Sequence, residues 1–205
     1  MSGHLNIPVK NVEGTRTISV TSGKGGVGKT TVVCNLAYEL AKTGSRVLIL
    51  DGDLGMANVD VMFGQRARHS IGQVLDGQCQ IEDIVMEVAN GVSLIPGGSG
   101  IYGLSRLNSL QKHTLLDQVS RLNHSFDYML VDTAPGIDDN VLYLNAAAQE
   151  ILVLVTPDPS SLTDAYALIK VLNQRHRENR FSIVVNMAKD ETEARGVFQK
   201  LSDVA

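Results

Sequence analysis

Six short apolar runs recur along the chain: TISVTS (17 to 22), RVLILD (46 to 51), VSLIP (92 to 96), YMLVD (128 to 132), EILVLVT (150 to 156) and FSIVVN (181 to 186). None alternates polar with apolar residues, so each predicts a strand covered on both faces, as in a parallel sheet. The stretches between them are mostly long enough for a helix. TTVVCNLAYELAKTG closes on Gly44 as a C-cap, and SLTDAYALIKVLNQRHR carries apolar residues near helical spacing. This strand-helix rhythm predicts an α/β fold in three layers, a mostly parallel sheet flanked by helices. Right-handed crossovers would then place ligands beyond the carboxyl ends of the strands. With 205 residues, 43% of them hydrophobic, there is enough material for one sizeable core. No repeat or Pro/Gly-rich linker divides it. The expected organisation is a flexible polar segment over residues 1 to 15 and one domain over 16 to 205.

The end of the first run carries the strongest chemical signal. GKGGVGKT, Gly23 to Thr30, fits the phosphate-loop pattern GxxxxGK[ST] between a strand-like and a helix-like segment. The backbone of Gly23, Lys24, Gly25, Gly26, Val27 and Gly28 can converge on phosphate oxygens, and the helix that follows adds positive potential through Lys29, Thr30 and Thr31. Lys29 reaches the β- and γ-phosphates and the Thr30 hydroxyl can ligate Mg²⁺. The fold class sharpens to the three-layer P-loop NTPase fold, with ATP or ADP and Mg²⁺ as cofactors.

Two further strand ends point to the same place. LILDGDLGMANVD sets Asp51 and Asp53 two residues apart, which on an extended segment aims both side chains the same way, toward a γ-phosphate, its metal or an attacking water. The alternative is a turn in which the carboxylates cap N–H groups. Asp60 reads as structural. YMLVDTAPG ends a strand on Asp132, suited to the Mg²⁺ shell, with Gly136 able to offer its N–H to the γ-phosphate.

Charge and cysteine content narrow the picture. There are 18 Lys and Arg against 22 Asp and Glu, a net charge of −4, so no global basic field favours nucleic acid or anionic lipid. Cys34 and Cys79 lie far apart in no metal-like spacing, which fits free thiols in a reducing cytoplasm. No run has the length of a membrane span, and the polar N-terminus has no signal-peptide core. Arg175, His176, Arg177 and Arg180 cluster at the end of a predicted helix, where they favour its dipole.

The extra lysine at the second position of GKGGVGKT, Lys24, makes the chain resemble the deviant Walker A ATPases, the MinD/ParA family. DGDLGMANVDVMFG, DTAPGI and DPSSLTDAYALIKVL are similar to its FlhG/FleN branch, regulators of flagellar number and placement, and the resemblance runs from about residue 16 onward. It implies an ATP-sandwiched homodimer in which Lys24 reaches the partner's phosphates while Lys29 serves its own nucleotide. Asp53 is implied to position the hydrolytic water and to lie in the metal shell, Asp51 to lie near the metal, Asp132 to be the Walker B residue and Asn186 to read adenine. Hydrolysis is then slow, with Lys24, Lys29 and Asp53 as its catalytic residues. FlhF GTPase, an FleQ-type transcriptional activator and flagellar switch or C-ring proteins are implied partners. A MinD- or ParA-type role in division or partition, or nucleotide sensing without turnover, are the alternatives. The chain ends at Ala205 in the helix-like ARGVFQKLSDVA, so a domain lacking its C-terminal part is expected, along with any membrane-binding helix there. Location is then cytoplasmic, with peripheral membrane or polar placement in a full-length protein.

Overall fold

The computed structural model describes residues 14 to 98 and 107 to 204. Residues 1 to 13 of the expected N-terminal segment lie outside the described residues. Thr15 is already anchored, its N–H donating to Asn123 Oδ1 (2.9 Å) and its hydroxyl to the Phe126 carbonyl (2.8 Å).

Seven strands form one sheet: β1 (Arg16–Thr21), β2 (Val47–Gly52), β3 (Met86–Ala89), β4 (Val92–Ile95), β5 (Tyr128–Thr133), β6 (Glu150–Val155) and β7 (Ser182–Val185). Their order is β3-β4-β2-β5-β1-β6-β7, and every pairing is parallel except β3 with β4. The six apolar runs are the six parallel strands. β3 is the addition: MEVA is short and only its Val88 is buried, so it lacks the uninterrupted apolar signature. Two-sided burial explains the pattern of β2, whose six residues are all buried. Alternate β2 side chains enter different clusters, Val47 and Ile49 in one and Leu48 and Leu50 in the other.

Helix α1 (Lys29–Lys42) covers the first face, with Val33, Cys34 and Ala37 against Val20, Ile49 and Leu130. Its carboxyl end follows the predicted stop: Thr43 is the cap and Gly44, at φ 91°, takes the left-handed turn. The segment after β2 holds only short helices, α2 (Val59–Met62) and α3 (Ile71–Leu75), then a 3-10 turn at Ile81–Asp83. The opposite face is covered by α3 with α4 (Ser109–Ser120) and α5 (Asp139–Ala147), and further along by α6 (Pro159–His176) and α7 (Glu191–Ser202). Each fully buried leucine, such as Leu130 or Leu168, contributes about 2 kcal/mol through burial alone. Asp158 starts α6 by accepting the Ser160 N–H, Pro159 supplies a fixed φ, and Arg177 ends it in the left-handed region. The basic cluster therefore sits at the helix carboxyl end, with Arg175 also facing Asp139 at 3.5 Å.

Candidate nucleotide-binding site

The carboxyl ends of β2, β5, β1 and β7 bring the residues assigned to nucleotide and metal in the sequence to one edge of the sheet. Between β1 and α1 the chain turns through Gly26 at φ 78° and Gly28 at φ 92°, conformations open to glycine without strain. Gly25 and Gly26 are exposed, and a Cβ at Gly26 would meet nothing, so the cradle is open above them. Val27 is buried in the core, leaving its backbone to the loop. Thr31 is exposed on the first turn of α1.

Lys29 is buried, and its Nζ donates to Ser22 Oγ at 3.0 Å. Burial lowers the ammonium pKa, while the carboxylates of Asp132 and Asp53 oppose that shift. Ser22 also donates to the Lys24 carbonyl (2.6 Å) and accepts the Gly136 N–H on its own carbonyl (2.9 Å). Sequence reasoning missed this hub, because the phosphate-loop pattern begins one residue later.

Gly23 is pressed against α6: a Cβ there would stand 2.2 Å from the Asp164 carbonyl group. Lys24 meets the same helix, its Nζ at 2.6 Å from both Asp158 Oδ2 and Ser160 Oγ. That lysine holds the Asp158 carboxyl down at about 2, helped by the Ser160 N–H and hydroxyl. Lys24, about two-fifths exposed, is thus held by α6, whereas the buried Lys29 is held by Ser22 of the loop. Asp158 and Ser160 had no sequence signal of their own, since the contact spans more than 130 positions.

The carboxylates divide into two kinds. Asp51 accepts N–H groups from Asn58 (3.0 Å), Val59 (3.0 Å) and Asp53 (3.3 Å), so it fastens the turn into α2. Burial pushes it up to about 7, against the pull of those N–H donors. The common aim expected for Asp51 and Asp53 does not hold: β2 ends at Gly52, and Asp53 lies in the turn, accepting the Met56 N–H at 3.2 Å. Of the two, Asp53 is the one that acts on Lys29. Asp60, read as structural, accepts the N–H groups of Val61 and Ala67. Asp132 is as buried as Asp51 and is pushed up to about 6 by burial, against the opposing pull of the Thr30 hydroxyl and Lys29. Its Oδ1 is buried with no hydrogen-bond partner.

An orphaned carboxylate oxygen beside a threonine hydroxyl is the donor set a hard, oxygen-seeking cation requires. Thr30 and Asp132 therefore fit Mg²⁺, with Asp53 within electrostatic reach. Gly136, at φ 96°, is half-buried, and a Cβ there would have no neighbour within 4 Å, so its backbone faces open space. Asn186 follows β7, and its amide donates to the Val27 carbonyl at 2.8 Å. Gly28 suits the position by its φ of 92°, and a Cβ there would stand 2.6 Å from that amide nitrogen and push it aside. Four donors assigned to nucleotide, from Lys24, Lys29, Gly136 and Asn186, thus rest on acceptors of the chain itself.

The family described as an AAA domain matches residues 15 to 185. The antiactivator FleN of Pseudomonas aeruginosa is 44% identical over 189 residues, covering 92% of this chain and 68% of that protein. This chain belongs to the MinD/ParA family of P-loop ATPases. Within it, the flagellum site-determining protein YlxH of Helicobacter pylori is 37% identical over 195 residues, 95% of this chain and 66% of that protein. The chain thus spans about two thirds of the length of these curated relatives. Among solved members, the septum site-determining protein MinD of Pyrococcus horikoshii, in complex with Mg-ADP, superposes with a TM-score of 0.74 at 28% identity. That match covers 93% of this chain and 79% of that one. Nucleotide and Mg²⁺ binding in the family accords with the open loop and the Thr30–Asp132 pair. Among the described residues, no helix is long and apolar enough to cross a membrane, and no cluster of three His, Cys, Asp or Glu gathers elsewhere for a metal.

Proposed function

We propose that this ATPase is an ATP-dependent dimerisation switch controlling the number and placement of bacterial flagella. The observation that carries the switch is the divergence of the two loop lysines. Lys29 is buried against Ser22 of its own loop, whereas Lys24 is held by α6, exposed enough to meet a second copy. The flagellar assignment rests on the likeness to FleN and YlxH, with FlhF, an FleQ-type activator or flagellar switch proteins as partners.

In this reading the loop N–H groups and Lys29 hold the triphosphate, and Thr30 and Asp132 would hold Mg²⁺, which would supply neutralisation of phosphate charge. Asp53 orients water, and Lys24 of one copy completes the site of the other. Asn186 exchanges the Val27 carbonyl for an adenine edge, and Gly136 exchanges Ser22 for the γ-phosphate. Positioning and charge neutralisation suffice for phosphoryl transfer, so no strong base is required and slow turnover suits a switch.

Two measurements test it. In sedimentation with Mg²⁺ and a non-hydrolysable ATP analogue, the chain is expected to dimerise and Lys24→Ala to remain monomeric; equal dimerisation refutes the role of Lys24. Phosphate release is expected to fall about a hundredfold in Asp53→Ala, and equal, negligible rates in both proteins would favour a passive sensor. The solved MinD relatives support a second reading, in cell division or partition. Preferential capture of MinC or ParB over an FleQ-type activator and FlhF would establish it.

A further inference from the structure

Beneath the phosphate loop lies a polar group the reaction scheme does not use. Asn145, in the second turn of α5, is fully buried, as are Ser19 and Thr21 of β1. Ser19 Oγ donates to Asn145 Oδ1 at 2.8 Å; Asn145 Nδ2 donates to Thr21 Oγ1 at 3.2 Å and to the Val141 carbonyl at 2.8 Å. Both amide hydrogens and the amide oxygen are used, and turning the amide over would set its oxygen against the Val141 carbonyl. An apolar side chain of similar size would fill this space without any polar atom to satisfy. What the amide adds is direction: α5 cannot slide or rotate on β1 without breaking these bonds.

Together with Val20 and Ser22, Ser19 and Thr21 of β1 hold the segment from β5 to α5. The Thr133 hydroxyl donates to the Val20 carbonyl at 3.1 Å and the Gly136 N–H to the Ser22 carbonyl at 2.9 Å. Residues 19 to 22 thus fasten, in turn, Asn145, Thr133, Asn145 again and Gly136. If Gly136 moves to a phosphate, its bond to Ser22 breaks while the Thr133 and Asn145 anchors stay. The loop between them then swings from two fixed ends, and its reach is set by where those ends are pinned.

We propose that Asn145 is a positioning residue for ATP hydrolysis, fixing α5 on Ser19 and Thr21 so that Gly136 stands in reach of the γ-phosphate. This rests on the reading of Gly136 as a γ-phosphate donor. The test compares steady-state hydrolysis by the full chain and by Asn145→Leu. It adds a triple variant, Ser19→Ala, Thr21→Val, Asn145→Leu, in which no polar atom of the network remains unpaired and stability is expected to recover. In both, kcat is expected to fall at least about tenfold with KM for ATP within about twofold, as a misplaced transition-state contact requires. Should Asn145→Leu fail to fold, the triple variant decides alone. A triple variant with wild-type melting temperature and wild-type kcat overturns the proposal, since packing would then suffice. Gly136→Ala, strained at its positive φ, separates the two claims. Normal hydrolysis by Gly136→Ala removes the role of Gly136, whereas impaired Gly136→Ala beside normal Asn145 variants removes only that of Asn145.

Discussion

Asp51 and Asp132 are direct neighbours across the β2–β5 ladder, both about 2% exposed and both raised by burial, yet they have opposite fates. Asp51 is saturated: three backbone N–H groups occupy its oxygens, and it holds the turn into α2 in place. Asp132 is unsaturated, with Thr30 on one side and nothing on Oδ1. Burial and a raised pKa therefore do not by themselves mark a ligand site. The unfilled valence does, because a buried carboxylate oxygen without a donor costs free energy until something positive arrives.

The sharpest way to break this contrast is Asp132→Ala. It is expected to lower Mg²⁺-dependent phosphate release by about a hundredfold or more while leaving the urea midpoint of the ligand-free protein no lower, since an unsatisfied charge is removed. Asp51→Ala should do the reverse. It strands the Asn58 and Val59 N–H groups and is expected to destabilise by about 2 kcal/mol in urea denaturation, with a smaller loss of activity per folded molecule. A fall in activity equal to that of Asp132→Ala, with stability intact, would erase the distinction. The smallest effect sharpens it: Mg²⁺ with ADP is expected to raise the melting temperature of the wild-type chain by a few degrees, to keep that shift in Asp51→Ala, and to lose most of it in Asp132→Ala.

The same contrast explains what the sequence could reveal. Asp132, Lys29 and Thr30 were legible because each sits at a fixed offset from an apolar run or within the loop pattern. The six parallel strands were legible because burial on two faces leaves no polar alternation along them. β3 was not, since an antiparallel edge strand of four residues with one buried side chain carries too little pattern. Asp51 looked like Asp53 in sequence; what parts them is the end of β2 at Gly52, a matter of where the ladder stops. Asp158 and Asn145 owe their roles to partners far along the chain, which no local spacing encodes, and Ser22 adds a distant bond from Gly136 to its local ones with Lys24 and Lys29.

Gly23 shows a coupling of another kind. Because any side chain at this position would run into the Asp164 carbonyl, the start of the loop and the body of α6 share a single interlocking joint. A redesign that enlarges position 23 to alter nucleotide preference would have to rebuild α6 at the same time, and a drifting lineage would have to change both together or neither.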